Sequence, residues 1–189
     1  MNLTARTGRR LAAGIALACA AIVLPAVALA SPAVTRTPAR PGAAAANCRA
    51  SSTEVWLGLP GDGTAGAIYY ELEFSNVGHH VCTLFGYPGV SAIRVNGHQV
   101  GAPASHSGSR PTVTLAPGAT AHAVLRVTDA GAVCAHPVNI VLLKVYPPGQ
   151  TRAQLIGVSG LEIQACSHRR TMHVLPVRAN TGIPGYTIS

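Results

Sequence analysis

Between Thr120 and Thr128 the chain reads TAHAVLRVT. Ala121, Ala123, Leu125 and Val127 fall on one side of this run, and His122 and Arg126 on the other. Successive side chains of a β-strand point to opposite faces, so this period of two marks a strand with one buried face. Tyr69–Phe74 repeats the pattern, with Tyr70, Leu72 and Phe74 inward and Tyr69, Glu71 and Glu73 outward. Further runs at Glu54–Leu59, Thr112–Ala116, Asn139–Tyr146, Ala153–Val158 and Thr171–Val177 are short and β-rich. Asn96-Gly97, between Ala92–Val95 and His98–Val100, is a hairpin signal. Gly and Pro punctuate the runs, and no segment shows a capped stretch of helical period. The pattern predicts an all-β fold, a two-sheet antiparallel immunoglobulin-like sandwich.

The stretch from His80 to Ile93, HVCTLFGYPGVSAI, puts a cysteine in an apolar run and follows it with Gly86-Tyr87-Pro88-Gly89. Cys82–Phe85 reads as a strand and the next four residues as the bend that ends it. Pro88 fixes its own φ and biases Tyr87 towards extended backbone, while glycines on either side accommodate the reversal. The Tyr87 ring is expected to cap one end of the core.

Upstream, Arg6, Arg9 and Arg10 precede an uncharged run from Leu11 to Ala30 that closes in Ala28-Leu29-Ala30. A basic segment, an apolar segment and a small-x-small site read as a secretory signal over residues 1–30, cut after Ala30. The run is long enough to span a bilayer if it is never cut, so a membrane association is expected only in that case. It is, however, alanine-rich and broken by Pro25. Cys19 lacks a good lipobox, and the context of Arg9-Arg10 is poor for twin-arginine export. Residues 31–46 have no apolar periodicity and read as an Ala/Pro-rich linker. Residues 47–178 then form one β-sandwich domain, and residues 179–189 a C-terminal tail.

Beyond the signal four cysteines remain, Cys48, Cys82, Cys134 and Cys166. An even number in a small exported domain reads as a disulfide framework. Three connectivities are open, and we favour Cys48 with Cys82 and Cys134 with Cys166 because each closes a moderate loop. With no C-x-x-C and no Cys-His cluster, zinc ligation and thioredoxin-like redox chemistry are not indicated.

Several ordered pieces carry a family resemblance: Tyr69-Tyr70-x-Leu72-x-Phe74-x-Asn76, Cys82-Thr-Leu, Gly86-Tyr-Pro-Gly-Val-Ser91, Gly101-Ala-Pro-Ala104 and Val113-x-Leu115-x-Pro117-Gly118. Asp129-Ala-Gly131, Val145-Tyr-Pro-Pro148 and Ala165-Cys166 continue it. From about Cys48 to Val177 the chain resembles a family of exported actinobacterial domains labelled as domain of unknown function 4232. The resemblance implies an export signal or lipid anchor, a variable linker and a β-sandwich. It implies no established reaction and supplies no catalytic residues. The adjacent pair His79-His80 is a mild departure.

The chemistry the chain can support is limited by its six acidic residues, Glu54, Asp62, Glu71, Glu73, Asp129 and Glu162. A glycosidase needs two carboxylates flanking a cleft. Glu71 and Glu73 alone are close in sequence, and on an outward strand face they are expected as exposed decoration. Gly157-Val-Ser-Gly-Leu161 ends in Leu where a nucleophile elbow needs Gly, so it reads as a turn. No H-E-x-x-H or P-loop occurs, and no G-x-G-x-x-G opens a helical run that could cradle a phosphate. Catalytic residues, metal ligands and cofactors are therefore all expected to be none.

Eight histidines, at 79, 80, 98, 106, 122, 136, 168 and 173, carry the alternative reading: a metal-binding protein or metallohydrolase using clustered surface histidines. It would require several of them to meet in one pocket. From Ser31 on, eleven Lys/Arg against six acids leave a net charge of +5, too dispersed and aromatic-poor for nucleic acid. The bias suits contact with an acidic surface such as a wall polymer. The function expected is an exported, non-catalytic binding module at the cell envelope or outside it, with its partner unidentified. Recognition is expected in loops, with candidates at Pro60–Ala67, Ala102–Arg110 and Pro147–Arg152.

Overall fold

The computed structural model describes residues 44–182. The expected signal segment, most of the expected linker and residues 183–189 lie outside the described residues. After a single 3-10 turn at Ala50–Ser52 come β1 (Thr53–Thr64), β2 (Ala67–Asn76), β3 (Cys82–Phe85), β4 (Gly89–Ile93), β5 (Gln99–Val100), β6 (Ser105–His106) and β7 (Thr112–Leu115). Then follow β8 (Thr120–Thr128), a second 3-10 turn at Ala130–Ala132, β9 (Val138–Asn139), β10 (Leu142–Tyr146), β11 (Gln154–Gly157), β12 (Gln164–Ala165), β13 (Met172–Val174) and β14 (Arg178–Ala179).

A six-stranded sheet runs β1-β2-β8-β13-β6, with β14 also on β8, and a four-stranded sheet runs β11-β10-β4-β5. Two short ladders, β12-β9 and β3-β7, complete a sandwich-like all-β arrangement. Strand pairing is antiparallel except between β6 and β13, which run parallel. The apolar sides of the runs meet in one core built around Leu72, Phe74, Leu84, Leu125, Leu143 and Val145. In β8 the burial alternates residue by residue along its whole length, as its sequence pattern requires.

Two departures have local causes. The run Thr171–Val177 is not one strand, because Pro176 has no N–H to place in a ladder; β13 ends at Val174 and β14 resumes along β8 at Arg178. The Asn96-Gly97 hairpin exists, but its closing pair is Ile93 and Gln99. The Gly97 N–H donates to Arg94 O at 2.9 Å and the Arg94 N–H to His98 O at 3.1 Å. Val95, expected in the strand, is therefore in the turn and 86% exposed.

The pairing of β1 with β2 slips between Gly58 and Asp62, where Leu59-Pro60-Gly61 bulge out. The bulged backbone lies on the Tyr70 ring, since a Cβ at Gly61 would sit 2.6 Å from Tyr70 Cε1. At its other end β1 is an outermost strand of its sheet. There the amide of Gln154, on β11, takes the place of a neighbour. Its Oε1 accepts from the Val55 N–H at 3.1 Å, and its Nε2 donates to Ala50 O at 3.2 Å and to Thr53 O.

Both favoured disulfides are present. Cys48–Cys82 has a Cα–Cα distance of 4.8 Å and joins the segment before β1 to β3. Cys134–Cys166, at 6.1 Å, joins the turn after β8 to the residue after β12. Asn76, inside the resemblance motif, is buried and its amide binds His80 O at 2.9 Å and Leu115 O at 3.1 Å. That residue is a structural knot between β2, the following loop and β7.

Candidate functional site

Two of the candidate loops converge on the Gly86–Gly89 bend. The loop Ala102–Arg110 folds back through β6 onto β13, so it is not free chain. Ser105 Oγ lies 2.9 Å from His173 Nδ1, and Ser107 Oγ 3.1 Å from His173 Nε2. The imidazole is thus held between two hydroxyls, an arrangement that clamps the loop but lacks the carboxylate that orients a catalytic triad histidine. On the same loop the His106 ring stacks on Tyr87 at 4.6 Å between centroids and 26° between planes. The Tyr87 hydroxyl donates to Gly108 O. Tyr87 packs against the core, as expected of a cap, and it also builds a surface.

Next to that stack, Arg110 places its guanidinium carbon 4.7 Å from the centroid of the Phe85 ring, which is 40% exposed. A guanidinium over an aromatic face is held by the ring quadrupole, for about 0.5–1 kcal/mol at exposed sites. Phe85, Tyr87, His106 and Arg110 line a shallow groove of about 310 Å³ that also takes in Gly149 from the Pro147–Arg152 loop. Rings offer flat apolar faces and Arg110 a planar set of donors, which together suit a polymer with apolar faces and anionic groups. The third candidate loop, Pro60–Ala67, lies away from this groove and lines a separate pocket.

The expected exposure of Glu71 and Glu73 needs correction. They do point away from the core, but Glu73 is 0% exposed. The cause is the segment after β14. Glu73 Oε1 accepts from the Gly182 N–H at 2.8 Å and from the Thr181 hydroxyl at 3.1 Å. A Cβ at Gly182 would come 2.5 Å from the Glu71 carboxyl, so a side chain there would have to push that carboxylate aside. Beside them the His122 Nδ1–H donates to Asn180 O at 2.8 Å, since a carbonyl can only accept.

One oxygen of each carboxylate, Oε2, is buried with no hydrogen-bond partner among the described residues. Burial raises the pKa of both. His122 nearby opposes that in both, as do the bonds from Gly182 and Thr181 in Glu73. The start of the expected tail therefore joins the sheet as β14 to Ala179 and lies against its outer face as far as Gly182. Nothing in Arg178-Ala-Asn-Thr-Gly182 has a periodic apolar face, so the sequence carries no signal for this cover.

The histidines are dispersed. His106 stacks on Tyr87, His122 faces the C-terminal segment, and His173 is held by serines. His79 and His80 share a groove with Asn47 and Arg49. Among the described residues no three His, Cys, Asp or Glu side chains come together in a way that could hold a metal ion. Gly157–Leu161 is a turn, with the Leu161 N–H donating to Val158 O at 3.1 Å. In the cluster His168-Arg169-Arg170, Arg170 Nε donates to Pro103 O at 3.0 Å, which ties it to the start of the Ala102–Arg110 loop.

Two disulfides fit a domain that matures in an oxidising, extracellular-type compartment. No helix among the described residues is long and apolar enough to cross a membrane. Neither the curated proteins nor the solved structures provide a match. A family model does match, over residues 48–178, and by it this disulfide-stapled sandwich belongs to the family described as domain of unknown function (DUF4232).

Proposed function

We propose that the chain is an exported, non-catalytic binding module that holds an acidic polymer of the cell envelope in the Phe85–Tyr87–His106–Arg110 groove. The observation that carries this reading is the joining of aromatic faces and an exposed guanidinium around a loop, Ala102–Arg110, that is clamped to the sheet. Clamped loops lose little conformational freedom on binding, which is how a shallow surface gains affinity. The net positive charge of the chain beyond its first thirty residues favours the approach of a polyanion. The export signal at residues 1–30 would deliver it there. No grouping of histidines favours the metal-dependent alternative.

Sedimentation with isolated wall material tests the proposal. The protein from Ser31 onward is expected to co-sediment at low salt and to be released as salt shortens the Debye length from about 10 Å at 0.1 M to about 3 Å at 1 M. Arg110→Ala with His106→Ala is expected to weaken retention about tenfold while the fold persists. Failure to sediment at low salt would remove the polymer as the partner. Undiminished retention of the double variant would remove the groove.

A further inference from the structure

At the end of the sandwich away from the aromatic groove, the β1–β2 hairpin, the end of β8 and the loop before β12 enclose a pocket of about 250 Å³. Its floor is apolar, with Ala67, Ile68, Val127 and Ile163 among the lining residues. Two of the chain's six acids, Asp129 and Glu162, also line it. No Lys, Arg or His among the described residues does so. In a chain with more than twice as many basic as acidic residues, such a lining marks a local reversal of charge.

Three further observations separate this pocket from a chance dip between loops. Tyr70 reaches it from the core and is 4% exposed, yet its hydroxyl has no hydrogen-bond partner among the described residues. The ring is buried while the hydroxyl stays open to solvent, and the pocket Tyr70 lines is where a ligand could meet it. Glu162 has φ +53, a left-handed backbone that a residue with a Cβ rarely adopts, and such strain collects where a side chain must be presented.

The walls are also pinned. The Asp129 N–H donates to Gly66 O at 2.9 Å, which closes the hairpin end onto β8, and Asp129 Oδ1 accepts from the Gly131 N–H at 2.9 Å. The Cys134 N–H donates to Ala130 O at 2.9 Å, and its disulfide to Cys166 joins the Asp129 wall to the Glu162–Gln164 wall.

We propose that this pocket is a binding site for a small organic cation, a primary ammonium on a compact hydrocarbon or aromatic body. The body rests on the apolar floor, the ammonium meets the Asp129 and Glu162 carboxylates at the rim, and the Tyr70 hydroxyl accepts from the ligand. An anion of the same shape is rejected by the two carboxylates, and a neutral analogue loses the ionic contact.

Amide NMR of the isotope-labelled protein recovered from an exporting host tests this, with benzylammonium as the probe and benzyl alcohol and benzoate as shape-matched controls. Benzylammonium is expected to shift the amides of Gly63–Ala67, Val127–Ala130 and Glu162–Gln164 saturably, with benzyl alcohol about five- to tenfold weaker and benzoate inert. Glu162→Lys, at an exposed position, is expected to weaken benzylammonium about tenfold and to leave benzyl alcohol within about twofold. Asp129→Asn, which keeps an acceptor for the Gly131 N–H, repeats the reading at an independent residue. Equal response to all three probes, no saturable shift at these amides, or unchanged affinity in both variants with native spectra would each overturn the site.

Discussion

Four of the six acidic residues sit in two pairs, and the pairs have opposite fates. Glu71 and Glu73 lie on the outer face of the six-stranded sheet, where pattern alone would leave them in water. The segment from Arg178 to Gly182 covers them, strips their hydration and raises their pKa values. Asp129 and Glu162 come from separate loops with no pattern at all, and they stay exposed at the rim of an open pocket. What decides the chemistry of a carboxylate here is which remote piece of chain arrives over it. A covered pair is fitted to hold structure, and an open pair to meet a ligand.

The largest effect that tests this contrast comes from the disulfides. Replacing Cys134 and Cys166 with alanine is expected to cost about 3–4 kcal/mol, from the loop closure it releases. It should also blur the amide signals of the Asp129 and Glu162 walls while those of Thr181 and Gly182 stay sharp. Removing Cys48–Cys82, which closes a loop of similar length, should cost a similar amount and leave both pocket walls sharp. Urea unfolding with amide spectra of each variant measures both; equal blurring in the two would mean the second disulfide has no special hold on the pocket.

Charge reversal within each pair comes next. Glu73→Lys places a cation where no side chain is exposed and is expected to cost about 3 kcal/mol or more. Glu162→Lys should stay within about 0.5 kcal/mol of the parent. Similar costs at the two sites would dissolve the distinction between covered and open.

The smallest effect is in pH dependence. Because the folded pKa values of Glu71 and Glu73 are raised, their covered, protonated forms favour the fold fully below the ordinary glutamate range, near 4.3. That contribution is lost as pH rises through the raised values and the carboxylates ionise under their cover. The double variant Glu71→Gln with Glu73→Gln should therefore gain stability relative to the parent as pH goes from 4 to 8. Melting temperatures across that range check it, and a constant difference would show that burial does not govern these groups.

The strands themselves were readable. β3 and β8 begin and end where the sequence pattern does, because each carries its own buried face. β6, β12 and β14 were not, since two residues bury nothing periodic and exist only because a longer strand offers them a ladder. The cover over Glu73 is of the same kind, a tertiary event written in Thr181 and Gly182, neither of which has a propensity that announces it. In the groove, Tyr87 and the Ala102–Arg110 loop were legible as candidates, but their meeting with Phe85 and His173 depends on how β13 places His173 beside β6. The acidic pocket was invisible, because Asp129 and Glu162 are far apart in sequence and the strained backbone at Glu162 leaves no mark in composition.

The amide of Gln154 has a consequence for how this protein behaves in company. An outermost strand with unclaimed backbone groups is a template on which another chain can lay a strand of its own, the first step towards fibrils. By claiming Val55 N and Thr53 O, with Ala50 O just before the strand, one side chain closes the start of that template without the protein having to build another strand. Copies brought close together can then crowd and remain separate molecules.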